Sequence, residues 1–78
     1  MEKEQFKRVF ATNLRKFRKV QKLTQTVLAA KADTDERYIQ ALEAGTNAPS
    51  LYVAWKLAVA LGVPVDTLCS EDGTPLEG

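Results

Sequence analysis

The apolar residues of this chain recur at spacings of three and four. No stretch alternates apolar with polar residues long enough to make a strand. That period restricts the chain to packed helices. Phe6, Val9, Phe10, Leu14, Phe17 and Val20 fall within one sector at about 100° per residue, with Arg8, Arg15, Lys19 and Lys22 nearly opposite. Helix 1 is thus expected from Lys3 to Lys22, with three Phe rings inside and a basic stripe outside. Such a helix alone would suit a membrane surface or a partner's groove, but the rest of the chain offers other helices to cover it.

Thr24 can accept a bond from a free N–H of the following turn and so caps helix 2, Gln25 to Ala32, with Val27, Leu28 and Ala29 as its apolar contacts. Asp33-Thr34-Asp35 is a three-residue turn; aspartate tolerates the left-handed region better than most residues, and Asp35 can cap the next helix. Helix 3 runs from Glu36 to Ala44 with Ile39 and Leu42 inward, and Gly45 suits its exit. After the Thr46–Pro49 loop, Ser50 caps helix 4, whose inner side is Leu51, Ala54, Trp55, Leu57, Ala58 and Leu61, up to Gly62. Pro64 and Asp66 open a short helix 5 through Leu68. The domain is expected to occupy residues 1–69, with 70–78 a frayed polar, acidic tail.

Composition narrows function. The 78 residues suit one domain, and 45% hydrophobic with 27% charged residues is ordinary for a globular chain. With no histidine and a single cysteine, Cys69, there is no internal disulfide, no Cys/His zinc site and no histidine-based catalysis. No phosphate loop or nucleophile–base pair marks an enzyme, and no cofactor, metal or small-molecule ligand is expected. Cys69 reads as a small, half-buried apolar residue rather than a redox sensor. Phe6, Phe10, Phe17 and Trp55 read as core rather than as a stacking platform for single strands. The longest apolar run, Leu57 to Leu61, is too short to span a bilayer, and no apolar stretch of a signal peptide follows Met1. A cytoplasmic protein that avoids membranes is expected.

The net charge of +1 hides a gradient. Residues 1–32 carry nine Lys and Arg against two Glu, a net +7, and residues 33–78 carry two against eight, a net −6. One face therefore suits a polyanion.

Two short helices joined by a three-residue turn are the helix-turn-helix unit, in which the second helix can enter a major groove. Asn13 to Arg18, Leu23-Thr24-Gln25, Leu28-Ala29, Tyr38-Ile39, Leu42 to Gly45, Pro49-Ser50-Leu51, Leu57 to Val63 and Leu68 occur in the order and spacing of a family. With them the chain resembles the Cro and phage-repressor type of helix-turn-helix, called in bacteria the xenobiotic-response-element family. The likeness covers residues 13–68 and is greatest to small stand-alone members, such as the controller proteins of restriction–modification systems. It implies an all-α, five-helix, lambda-repressor-like fold that binds double-stranded DNA. It also implies a transcriptional regulator or repressor, working as a homodimer on a palindromic operator.

Carried over residue by residue, the resemblance implies base contacts from Glu36, Arg37, Gln40 and Ala41, and backbone contacts from Thr24, Gln25, Tyr38, Thr46 and Asn47. Arg37 is the strongest base reader, since its fork can span guanine O6 and N7. The resemblance further implies an ion pair between Arg18 and Glu43, and a dimer face built from Tyr52, Val59, Val63, Val65 and Leu68. Four positions depart from the family. Lys22 and Asp33 stand where glycine is common, and Thr26 and Val27 stand where glutamates often follow Gln25. The acidic start of helix 3, with Asp33, Asp35 and Glu36, suits the helix macrodipole but opposes phosphate. It supports a second reading on the same fold: a protein-interaction module, such as an antitoxin, antirepressor or co-regulator, with a regulatory protein as its partner.

Overall fold

A computed structural model describes residues 1–73 of the 78. Those residues form five helices and no strand: α1 (Lys3–Val20), α2 (Gln25–Lys31), α3 (Glu36–Glu43), α4 (Leu51–Leu61) and α5 (Val65–Cys69). The starts of α2, α3 and α4 follow from their capping chemistry. The hydroxyl of Thr24 accepts from the Val27 N–H, the Asp35 carboxylate from the Arg37 N–H, and the Ser50 hydroxyl from the Val53 N–H.

The ends of α1 to α4 share one device. A left-handed residue follows the helix, and the next N–H reaches back five residues, as in Leu23 N–H to Arg18 O, Thr34 N–H to Ala29 O, Thr46 N–H to Ala41 O and Val63 N–H to Ala58 O. Gly45 and Gly62 supply the left-handed position for α3 and α4, whereas Lys22 (φ 58°) and Asp33 (φ 51°) supply it for α1 and α2. This shortens helices 1, 2 and 3 relative to expectation. The turn geometry ends them at Val20, Lys31 and Glu43 instead of Lys22, Ala32 and Ala44.

The core gathers Phe10, Leu14, Leu28, Ile39, Leu42, Leu57 and Leu68, all with essentially no exposure, and takes a layer from every helix. Phe6, Phe17 and Leu23 pack against its edge. Four residues expected inside are instead outside: Val20, Val27, Leu51 and Trp55 are 70%, 45%, 80% and 52% exposed. Val20 and Leu51 sit at helix ends, past the reach of the core. Trp55 and Val27 lie on flanks of α4 and α2 that no other helix covers.

The expected fraying from Ser70 is also corrected. Asn13, buried in the middle of α1, donates its amide to the carbonyls of Thr67 (3.3 Å), Leu68 (3.0 Å) and Ser70 (2.7 Å). The side chain thereby satisfies the open carbonyl end of α5. Ser70 is buried and its hydroxyl donates to Asp72 (2.9 Å), while Gln5 donates to Glu71 (2.7 Å). The packed unit thus runs on to Gly73, and the rest of the expected tail, 74–78, lies outside the described residues.

Candidate nucleic-acid interface

Helix α3 is held by its inner face and its last residue. Ile39 and Leu42 are fully buried. Glu43, also buried, receives the Arg18 guanidinium in two bonds, Nε to Oε2 at 2.6 Å and Nη2 to Oε1 at 2.9 Å. The Arg18 side chain is 12% exposed and that of Glu43 4%. Arg18 also donates Nη1 to the Leu23 carbonyl (2.9 Å), and Gln25 Nε2 donates to Glu43 Oε1 at 3.2 Å. One carboxylate therefore joins α1, α2 and α3. A planar fork against a planar carboxylate fixes direction as well as distance. The hydrogen bond to Glu43 pushes the Arg18 guanidinium above its ordinary range, against the opposing effect of burial.

Outward from that anchor lie the sequence-predicted contact residues. Arg37 is exposed, and among the described residues its side chain has no hydrogen-bond or ionic partner. Glu36 and Gln40 are engaged with one another: Gln40 Nε2 donates to Glu36 Oε2 (3.1 Å), and the Thr26 hydroxyl donates to Glu36 Oε1. Ala41 is half-buried, and Tyr38 packs against the core edge. At the margins, Thr24 caps α2, the Thr46 hydroxyl donates to the Ala41 carbonyl (3.1 Å), and Asn47 is exposed. Thr24, Gln25, Arg37 and Gln40 thus lie on the α2–α3 pair, with Thr46 and Asn47 in the loop after it.

The implied dimer face divides. Tyr52 and Val59 are 65% and 60% exposed, Val63 and Val65 are half-buried against the core, and Leu68 is completely buried. Leu68 cannot face a partner because it closes the core beneath α1. Leu51 and Trp55 are exposed beside Tyr52 and Val59, so that the four make an apolar stripe along α4. Tyr52 and Trp55 stack with centroids 6.4 Å apart, and the Lys56 ammonium lies 4.8 Å over the Tyr52 ring. Beside them Lys31, Ala32, Asp33, Trp55, Lys56 and Val59 line a shallow open pocket of about 190 Å³.

Sequence reasoning missed two working side chains, Asn13 and Thr26. A lone amide between apolar turns of α1 was the available signal for Asn13. For Thr26 the signal was its place where the resembling family often carries glutamate.

The helix-turn-helix family profile matches residues 14–68. The chain belongs to that family. Its members of the Cro and phage-repressor type are DNA-binding transcription regulators. An uncharacterised HTH-type transcriptional regulator of Sinorhizobium fredii, y4dJ, is 30% identical over 70 residues, which span 88% of this chain and 91% of that one. The crystal structure of the restriction-modification controller protein C.AhdI from Aeromonas hydrophila superposes with a TM-score of 0.77 at 32% identity. That match covers 80% of this chain and 94% of the controller. The hypothetical transcription factor NHTF from Neisseria superposes with a TM-score of 0.82 at 30% identity, over 90% of this chain and 80% of that one. Among the described residues of this helix-turn-helix protein, no helix is long and apolar enough to cross a membrane, and no cluster of acidic or sulfur ligands could hold a metal.

Proposed function

We propose that this helix-turn-helix protein reads a specific double-stranded DNA sequence and regulates transcription from it in the cytoplasm. Two copies would bind a palindromic operator, each placing α3 in a major groove. One observation carries the reading: Arg37 stands exposed on a helix whose inner face is buried and whose end is locked by Arg18 and Glu43. A rigid helix with an unengaged fork suits bidentate readout of guanine. Gln40 and Glu36 can join only by exchanging the bonds they make to each other. Thr24 and Gln25 at the start of α2, with Thr46 and Asn47 after α3, supply phosphate contacts that orient the pair.

Pairing through Leu51, Tyr52, Trp55 and Val59 covers the exposed stripe of α4 and sets two α3 helices about 34 Å apart, one DNA turn. Similarity to a restriction-modification controller supports a regulatory role, and the DNA flanking the protein's own gene is the first duplex to try. Mobility shift and anisotropy against that flanking DNA test the reading. Arg37→Ala should cost about 1–3 kcal/mol on the best site and relax preference at one base pair. Equal binding to operator and random duplex, unchanged by Arg37→Ala, would overturn specific recognition.

The acidic start of α3 favours a second reading, a module that binds a regulatory protein. Failure to shift any duplex, with capture of a partner lost on Glu36→Gln, would decide for it.

A further inference from the structure

We infer that the outer face of α1 is a second DNA-contacting surface, on which Arg8, Arg15, Lys19 and Lys22 hold the phosphate backbone beside the segment read by α3. The inference rests on the DNA-binding reading above. It starts from a deficit. Residues 24–47, which hold α2, α3 and the loop after them, carry Lys31 and Arg37 against Asp33, Asp35 and Glu36, a net −1 once Glu43 is set against its partner Arg18. By itself that unit repels a polyanion, yet attraction to phosphate supplies most of the sequence-independent affinity of DNA-binding proteins. The needed cations must lie elsewhere in the molecule.

Eight of the eleven Lys and Arg residues fall within residues 1–22. Beyond them only Lys31, Arg37 and Lys56 remain, and Lys56 donates to the Asp33 carbonyl at 2.8 Å. Within the basic segment, Arg18 is committed to Glu43, and Lys7 pairs with Glu4. Arg8, Arg15 and Lys19 are exposed and share the side of α1 turned from the core, and Lys22, also exposed, stands in the turn just after the helix. Two of them are placed against the α2–α3 unit. Arg15 Nη1 approaches the Glu43 carbonyl at 3.4 Å, at the close of the recognition helix. Lys22 forms the left-handed turn two residues before Thr24, at the start of α2 where phosphate is expected. The helical row from Arg8 to Lys19 is roughly 17 Å long at 1.5 Å per residue, with Lys22 in the turn beyond it. Its Arg15–Lys22 end therefore adjoins the α2–α3 unit. The acids of the α2–α3 turn and the cations of α1 then divide the work: the former leave only a correct base match tolerable, and the latter hold the duplex near.

The test is the triple variant Arg8→Gln, Lys19→Gln, Lys22→Gln, with Arg15 left in place because it touches α3. Circular dichroism of this variant should match the parent. On a duplex that extends beyond the operator on both sides, its affinity should fall at least tenfold at low salt. The slope of log K against log salt should flatten by between about one and three, near 0.9 for each phosphate no longer neutralised. The ratio of operator to single-mismatch affinity should not change. On a duplex trimmed to the bases read by α3, parent and variant should differ far less. An unchanged slope and affinity on the long duplex would overturn the inference while leaving α3 as reader. So would a deficit confined to anionic phosphatidylserine vesicles. If the parent binds no duplex at all, the DNA-binding reading itself falls, and this surface with it.

Discussion

At the scale of single residues, the Glu43 carboxylate carries the heaviest structural charge among the described residues. It is nearly out of water and accepts from Arg18 twice and from Gln25 once. Removing only the cation leaves a buried charge unmatched, so Arg18→Met should lower stability by roughly 3–5 kcal/mol. Arg18→Met with Glu43→Leu should recover much of that loss, and chemical denaturation of the three variants measures the coupling. Lys22 and Asp33 make the opposite case, since a side chain stands where the backbone is left-handed. Glycine there removes a conformational cost but adds unfolded-state entropy. Lys22→Gly should therefore raise stability by about 0.5–1 kcal/mol, and Asp33→Gly by less because aspartate tolerates the region better. Cys69 offers a pH test. Burial, helped by the charge of Asp66, pushes its thiol up. Folding thus favours the protonated form, a stabilisation present below the ordinary thiol pKa and lost as pH rises through the folded value. The rate of Cys69 alkylation should accordingly rise at higher pH in the folded protein than in urea; coincident profiles would contradict it.

At the scale of elements, the helices were legible because their caps are chemical facts of the sequence. Thr24, Asp35 and Ser50 each stand one residue before a helix, and each accepts an N–H from its first turn, as expected. What periodicity could not decide was which side of α4 faces inward. Its eleven residues include a single charge, Lys56, so apolar side chains surround the whole helix. The choice then rests on where α2 and α5 happen to lie, and they cover Ala54, Leu57, Ala58 and Leu61 while leaving Trp55 bare. The same absence of local signal hid the attachment of Ser70 and Glu71 to Asn13 and Gln5, more than fifty positions away. Which of Glu36, Arg37 and Gln40 is free to act was equally invisible in the sequence, because it depends on the Thr26 hydroxyl across the turn. Helix α5, only five residues long, depends on Asn13 for its carbonyl end. Asn13→Leu should cost about 1–3 kcal/mol and selectively speed hydrogen exchange in α5. Uniform exchange across all five helices would assign the loss to packing instead.

At the scale of the whole molecule, a 78-residue chain without crosslinks has little stability in reserve, and an aromatic stripe left in water reduces it further. A second copy would restore that area. Sedimentation equilibrium at micromolar concentration should give twice the 8.6 kDa chain mass, and Val59→Glu or Trp55→Glu should return it to one. Dilution should also shift Trp55 emission to the red as the indole becomes wet. A monomer at every concentration, with emission unmoved, would leave the stripe for another partner. The amide of Asn13 has a consequence in time as well as in space. Its three acceptors are made 54 to 57 residues later, which at roughly 5–20 residues per second is a wait of about 3–11 s on the ribosome. Until then α1 carries a polar group that water alone can satisfy, so the nascent chain cannot seal its core early. Its maturation is set by the arrival of its last helix, whatever the order in which the others form.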